Sequence, residues 1–330
     1  MLLLYHSGQW RGTVNIVLKT ILSRVFLAMI TLLAVSMFIF WAAEVLPGDI
    51  AARVLGREAT EEAKQAFRER LNLDRPVHER YLIWLSGAVR GDFGHALASQ
   101  RPISEVIGPR LKNTIFLALY AFILYVPLTV FLAAVSALNR ERPLDNTISL
   151  LTLIGLSLPE FVIGTLLIYI FAVNNPIFPV MANVQRAKNF WDAIRMTTLP
   201  AITLTIVMAV YSVRMLRDNL IEVLESDYVR MATLKGLPRW RVVFFHALPN
   251  ALVPALNTMA LNLAYLIGGV VIVEQVFVYP GLGTQLVEAV FLRDAPVIEA
   301  IALLVSLIYI SANLFTDIFS ILSNPRLRSG

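Results

Sequence analysis

Residues 25–43 read VFLAMITLLAVSMFIFWAA, 19 consecutive positions without a charged side chain. A helix that crosses a hydrocarbon core about 30 Å thick needs about 20 such residues. Within lipid it has to be a helix, because each backbone N–H and C=O must find its partner inside the segment. The pattern recurs along the chain. Residues 114–138 and 251–273 are uncharged, and residues 147–173 carry one acid, Glu160, beside Pro159. Residues 198–213 form a shorter stretch that runs on through Arg214 toward an interface, and residues 297–315 carry a single acid, Glu299. The fold expected is therefore all-α, a polytopic membrane protein with six transmembrane helices.

Composition agrees. The 330 residues are 57% hydrophobic and 15% charged, too apolar for a chain whose whole exterior meets water. No cysteine is present, which excludes disulfide frameworks and thiolate metal sites. The formal charge of +5 could point to nucleic acid, but the basic residues are not gathered into one patch. Their distribution follows the rule that inner loops are rich in lysine and arginine. With a cytoplasmic N-terminus, the inner segments hold Arg11, Lys19, Arg24, Arg140, Arg142, Arg214, Arg217 and further basic residues up to Arg328. The short outer loops hold Arg186, Lys188, Arg195 and Arg293. Both termini are placed inside. Basic residues before the first span resemble a secretory signal, yet 19 apolar residues exceed the 7 to 15 of a cleaved one, so a retained signal anchor is expected.

The chain thus divides into an N-terminal cytoplasmic segment (1–24), a first span (25–43), an extracytoplasmic helical insertion (44–113), a membrane core (114–315) containing a long inner loop (214–250), and a cytoplasmic tail (316–330). In the insertion, Leu46-Pro47-Gly48-Asp49 ends the first helix. Thr60 caps a helix to about Leu71 with Glu61 and Glu62 in its first turn. Residues 77–89 form another, with Tyr81, Trp84 and Leu85 on one face, and Gly91-Asp92-Phe93-Gly94 breaks it. Two readings stand for this insertion: a cap packed on the membrane domain, or a docking surface for an external partner.

The inner loop is too long for a connection alone. Residues 218–235 favour a helix, and Gly236 ends it through the left-handed conformation that glycine adopts freely. Leu237-Pro238 restarts one, Trp240, Arg241, Phe244, Phe245 and Leu248 make it amphipathic, and Pro249 ends or kinks it. Two short helices joined by a glycine elbow read as a contact surface for a cytoplasmic protein. Trp240 with its neighbouring arginines also fits an anchor at the membrane interface.

Here the residues resemble a known family. The run Asp227-Tyr228-Val229-Arg230-Met231-Ala232-Thr233-Leu234-Lys235-Gly236, nine residues, then His246-Ala247-Leu248-Pro249 is similar to the signature loop of binding-protein-dependent ABC importer permeases: Glu-Ala-Ala, three residues, Gly, nine residues, Ile, one residue, Leu-Pro. Arg230, Met231 and His246 depart from it. The Tyr-Val-Arg start and His-Ala-Leu end resemble the dipeptide, oligopeptide and nickel branch. The likeness continues through Leu46 to Asp49, Gly91 to Gly94, Arg101-Pro102, Arg110 to Thr114, Ser157-Leu158-Pro159-Glu160-Phe161, Glu274-Gln275-Val276-Phe277, Tyr279-Pro280-Gly281-Leu282-Gly283, Asp317 and Asn324 to Arg328.

The resemblance implies a permease subunit that imports a small solute, foremost di- or oligopeptides, with nickel or another small solute as the alternative. It implies that the loop around Gly236, including Asp227, Tyr228, Arg230, Ala232, Lys235, Leu248 and Pro249, forms coupling helices on two separate ABC ATPase subunits that bind ATP and Mg. A second related permease subunit and an extracytoplasmic solute-binding protein complete the assembly in the bacterial inner membrane. The implied mechanism is alternating access.

The chain has no Gly-x-x-x-x-Gly-Lys-[Ser/Thr] phosphate loop, no His-Glu-x-x-His and no Gly-x-Ser-x-Gly. Its four histidines are scattered, so neither catalytic residues nor a metal site are expected. Glu160, with Ser157 and Pro159, is the candidate for the translocation path, because an ionisable group within a span faces a bundle interior or a water-filled cavity. The alternative is a Pro-Glu pair at a helix break whose carboxylate meets freed amides. Pro280, Gly281 and Gly283 make either a tight re-entrant turn or a gate. An ion-driven carrier working alone would need acidic pairs within its spans and no elaborate inner loop.

Overall fold

The computed structural model describes residues 2–44, 59–70 and 75–323. Leu46-Pro47-Gly48-Asp49 and Asn324 to Arg328 lie outside these residues. Among the described residues the secondary structure is helical, without a named strand. Helix α1 (Leu2–Glu44) contains the first expected span in one unbroken run. In the insertion, α2 (Glu61–Arg70) begins where Thr60 accepts the Ala63 amide on its hydroxyl at 3.3 Å, and α3 covers Val77–Val89.

Helix α4 (Ile103–Leu138) holds the second span and starts earlier than expected, so that 103–113 continue its helix instead of belonging to a separate insertion. Pro102, with no N–H to offer, stands just before its first residue. The third expected span is broken at its middle. It is divided into α5 (Pro143–Ser157) and α6 (Glu160–Ile168), the latter continuing as a π-helical turn Tyr169–Asn174, and the two halves bend by 107°. Pro159 is the cause: it bars the α-conformation at Leu158, which is extended at φ −93°, ψ 130°.

Helix α7 (Phe190–Leu224) is capped by the Asn189 side chain, which accepts the Asp192 amide at 2.9 Å. Next come α8 (Asp227–Leu234), a turn Arg239–Arg241, a π-helical turn Val242–Ala247, and α9 (Leu248–Val276). The short α10 (Leu282–Leu292) precedes α11 (Ala295–Ser323). Among the described residues, four helices can cross a membrane by length and composition (Ile21–Ala42, Ile103–Leu138, Phe190–Leu224 and Ala295–Thr316), and the bent pair makes a fifth if it is one span. The expected 251–273 span lies in α9, whose 29 residues extend about 43 Å at the helical rise.

The core runs where α4, α7 and α9 meet. Leu117, Ala121 and Tyr125 of α4 pack with Leu204, Met208 and Leu216 of α7 and with Leu266 and Val270 of α9. Small residues at the contacts (Ala121, Ala133, Ala201, Ala209, Ala255) let the backbones approach closely. One polar lock sits inside: the Tyr125 and Ser212 hydroxyls are 2.6 Å apart, and Asn262 Nδ2 donates to them at 3.0 and 2.8 Å. In an apolar interior each of these groups would be costly alone, so together they fix the mutual register of three helices.

The insertion helix α3 lies on α1. Tyr81 and Trp84 stack around Phe40, with ring centroids 5.5 and 5.7 Å away, and the Tyr81 hydroxyl meets Ser36 Oγ at 2.8 Å. Farther on, Gly91 and Gly94 hold φ near +80° and turn the chain back toward the core. The Ala98 amide then donates to Asp294 Oδ2 at 2.9 Å, which ties the insertion to the loop before α11.

Candidate functional site

The inner loop is the first of three sites built from expected residues. Residues 218–224 complete α7 instead of opening the loop's first helix, which starts at Asp227 after a break at Glu225 and Ser226. The elbow is as read: Gly236 adopts φ +79°, its amide donates to Thr233 O at 3.0 Å, and the Leu237 amide reaches Ala232 O at 3.4 Å. Both bonds close orphan carbonyls at the end of α8. Pro249 does not end the helical run. The π-helical turn Val242–Ala247 just before it widens the helix where the proline ring would clash, and α9 continues from Leu248.

This loop has two faces. Val229, Val242, Val243, Ala247 and Leu248 are buried against the bundle. Outward stand Tyr228, Met231, Trp240, Phe244, Phe245 and Leu234, the last 80% exposed. Arg241 lies 5.7 Å over the Trp240 ring, and Phe245 meets the same ring edge-on at 6.0 Å. Asp227, Arg230 and Lys235 are exposed around this apolar patch, whereas Ala232 packs on the core. A patch of large apolar side chains rimmed by charges at the end of a bundle is the form of a protein-docking surface.

The second site is the bend. Ser157 and Pro159 are exposed, and the Ser157 hydroxyl returns to Leu153 O at 3.0 Å. Glu160 opens α6, half-buried, with Oε2 lacking a hydrogen-bond partner among the described residues. The first amides of α6 that find a carbonyl, those of Val162 and Ile163, use Pro159 O at 3.0 and 3.3 Å.

The third site, Tyr279 to Gly283, is a knot tied around a residue that sequence reading quoted without assigning it a role. Glu274, 0% exposed, accepts the Thr114 hydroxyl on Oε1 at 2.6 Å and the Gly283 and Thr284 amides on Oε2 at 2.7 and 3.1 Å. Thr114 in turn accepts the Leu282 amide at 2.8 Å. A Cβ at Gly281 would overlap the Glu274 carboxylate, and one at Gly283 would stand 2.6 Å from Val271 Cα. Glycine is thus required at both positions by space. Asn113 donates from Nδ2 to Pro280 O at 2.8 Å, and its own carbonyl accepts the Tyr279 hydroxyl at 2.8 Å. Burial pushes that phenol's pKa up. The signal for Glu274 was an acid placed directly after the uncharged stretch 251–273.

A further cluster was also missed. At the end of the bundle that carries the Gly236 loop, buried Asp145 accepts two nitrogens of Arg217 and the Ser136 hydroxyl, a role that the count of loop charges does not display.

The sequence family described as "binding-protein-dependent transport system inner membrane component" matches residues 115–329, and the family of its N-terminal component matches residues 17–118. The chain is 35% identical over 308 residues to a "probable peptide ABC transporter permease protein y4tP" of Sinorhizobium fredii, covering 93% of this chain and 98% of that one. It is likewise 35% identical over 311 residues to the "glutathione transport system permease protein GsiC" of Salmonella choleraesuis, covering 94% and 99%. The protein of the same name in Escherichia coli K12 is 35% identical over 298 residues, covering 90% and 95%.

Proposed function

Since the chain belongs to the inner-membrane components of binding-protein-dependent transport systems, we propose that it is the translocation subunit of an ATP-driven importer whose cargo is of the peptide class. The observation that carries the proposal is the inner loop, where Tyr228, Met231, Leu234, Trp240, Phe244 and Phe245 stand exposed around the Gly236 elbow. Relatives named for peptide and for glutathione, itself a tripeptide, support the substrate class.

In this reading the elbow seats in a groove on a separate ATPase subunit, where ATP and Mg bind, and Asp227, Arg230 and Lys235 contribute a charged rim. Two ATPases draw together on binding ATP, and the loops follow. The chain pairs with a second, related permease subunit, and a solute-binding protein delivers cargo to the outer face. Both termini lie on the cytoplasmic side. Glu160, at the mid-span break with Ser157 and Pro159, lines the path. Its carboxylate is half-buried with an oxygen unclaimed, and broken helices are tolerated at membrane depth where they line a cavity. The packing of Gly281 and Gly283 onto Glu274 supports Pro280, Gly281 and Gly283 as a rigid turn beside that path instead of a moving gate.

The test is affinity purification from the native membrane. Subunits bearing phosphate-loop motifs should accompany the unmodified chain together with ATP hydrolysis, and both should be lost in Gly236→Val, because valine is strained at a positive φ. A chain that purifies alone and transports on an ion gradient, indifferent to ATP, would overturn the proposal.

A further inference from the structure

Helix α5 is the inner half of the broken span, and its two ends are held differently. Near the bend the contact is one of shape: Gly155 approaches α7 so closely that a Cβ would stand 2.5 Å from Val210 Cγ1. At the other end the contact is directional. Asp145, in the first turn of α5 and 1% exposed, accepts Arg217 Nε at 2.7 Å and Nη2 at 2.6 Å. The Ser136 hydroxyl at the end of α4 and the Glu141 amide occupy the remaining acceptor positions. Arg217 Nη1 donates to Asp218 Oδ1 at 2.8 Å, so the guanidinium is held on its outer side too.

Arg217 belongs to α7, which ends at Leu224 and leads through Glu225 and Ser226 into the docking helix α8. Glu225 itself pairs with Arg140, just ahead of α5. A fork of two parallel bonds into a carboxylate fixes orientation as well as distance. A buried ion pair adds little net stability over an apolar pair of the same shape, and its best-attested use is to fix register. Apolar faces can slide past each other, whereas this clasp cannot slide without breaking. A cavity of about 150 Å³ beside it, lined by Ser149, Thr152, Arg214 and Asp218, leaves room around the pair.

We infer that Asp145 and Arg217 are positioning residues that carry movement of the docking loop, through α7, to the bend at Pro159. The inference rests on the docking role of the Gly236 loop. When α8 is drawn by its ATPase, α7 moves with it, the clasp obliges the start of α5 to follow, and the angle at which α6 presents Glu160 changes.

The experiment uses the assembled transporter in proteoliposomes. Because the chain has no cysteine, spin labels at introduced Leu151→Cys on α5 and Phe291→Cys on α10 report one distance, measured before and after adding MgATP with orthovanadate. With the clasp intact the nucleotide shifts this distance. Two variants break it: Arg217→Lys, which keeps the charge and loses the fork, and Asp145→Leu with Arg217→Met, which leaves no unpaired buried charge, since Asp218 is exposed. Retained ATPase subunits and retained hydrolysis, with the distance shift abolished, is the expected result. A shift that persists in these variants, or that is absent with the clasp intact, overturns the inference. So does parallel loss of assembly and hydrolysis in both variants, which marks a merely structural pair. If the unmodified chain retains no ATPase subunit, the docking reading itself has failed, and that outcome is visible before any distance is measured.

Discussion

Glu274 shows how a single buried carboxylate can organise a turn. Its two oxygens accept from three donors: the Thr114 hydroxyl and the Gly283 and Thr284 amides. Replacing it with alanine leaves those donors buried without an acceptor, each costing about 1–3 kcal/mol. Glu274→Ala should therefore lower the melting temperature of the purified protein far more than a surface substitution, and Gly281→Ala, which forces a Cβ into the same carboxylate, should do likewise. An unchanged melting curve for both would show that the knot does not hold α10 to α9. Glu160 stands at the opposite extreme, with an oxygen that no described group claims. Removing its charge in Glu160→Gln should leave thermal stability and subunit assembly intact and reduce peptide uptake about tenfold, the loss of one charge-assisted bond. Uptake at the unmodified rate would retire Glu160 from the path.

At the level of elements, hydrophobic length found the apolar helices because lipid imposes a simple demand, while of the six expected spans four, or five with the bent pair, meet that demand among the described residues. The insertion helix 77–89 and the Thr60 cap were legible for the same kind of local reason. Three features were not. The third span was counted as one apolar stretch through Leu158-Pro159, with a helix break at Pro159 kept as an alternative, and an apolar count says nothing of the 107° angle between its halves. Residues 218–224 favour a helix in either assignment, and only the break at Ser226 decides that they finish α7. The clasp at Asp145 joins positions far apart in sequence, which no periodicity displays. Gly155 belongs to the same class, since its need for glycine comes from Val210 on another helix. Gly155→Leu should push α5 from α7 and destabilise the bundle by about 1–3 kcal/mol, the usual cost of overpacking. Thermal unfolding checks it, and a neutral result would mean that α5 can shift freely at that end.

For the whole molecule the question is which side faces the cytoplasm, because the docking loop and the outer knot can serve their roles in one orientation only. The two lie at opposite ends of α9: the loop feeds into Leu248, and the knot follows Val276. If the Gly236 elbow seats an ATPase, the side that holds the ATPases holds the elbow, and the other side holds Glu274, α10 and the insertion that contacts Asp294. By the rule that inner loops are rich in lysine and arginine, the elbow is expected inside, since Arg140, Arg142, Arg214, Arg217 and Lys235 all lie in the segments on its side. A chain without cysteine lets this be tested directly with single introduced thiols. Lys188→Cys and Arg142→Cys both fall at exposed positions, in the loop before α7 and in the turn between α4 and α5. In intact spheroplasts a membrane-impermeant maleimide should label Lys188→Cys at once and Arg142→Cys only after permeabilisation. The reverse pattern would place the apolar patch outside, where no ATPase can reach it, and the proposed coupling would fall with the topology.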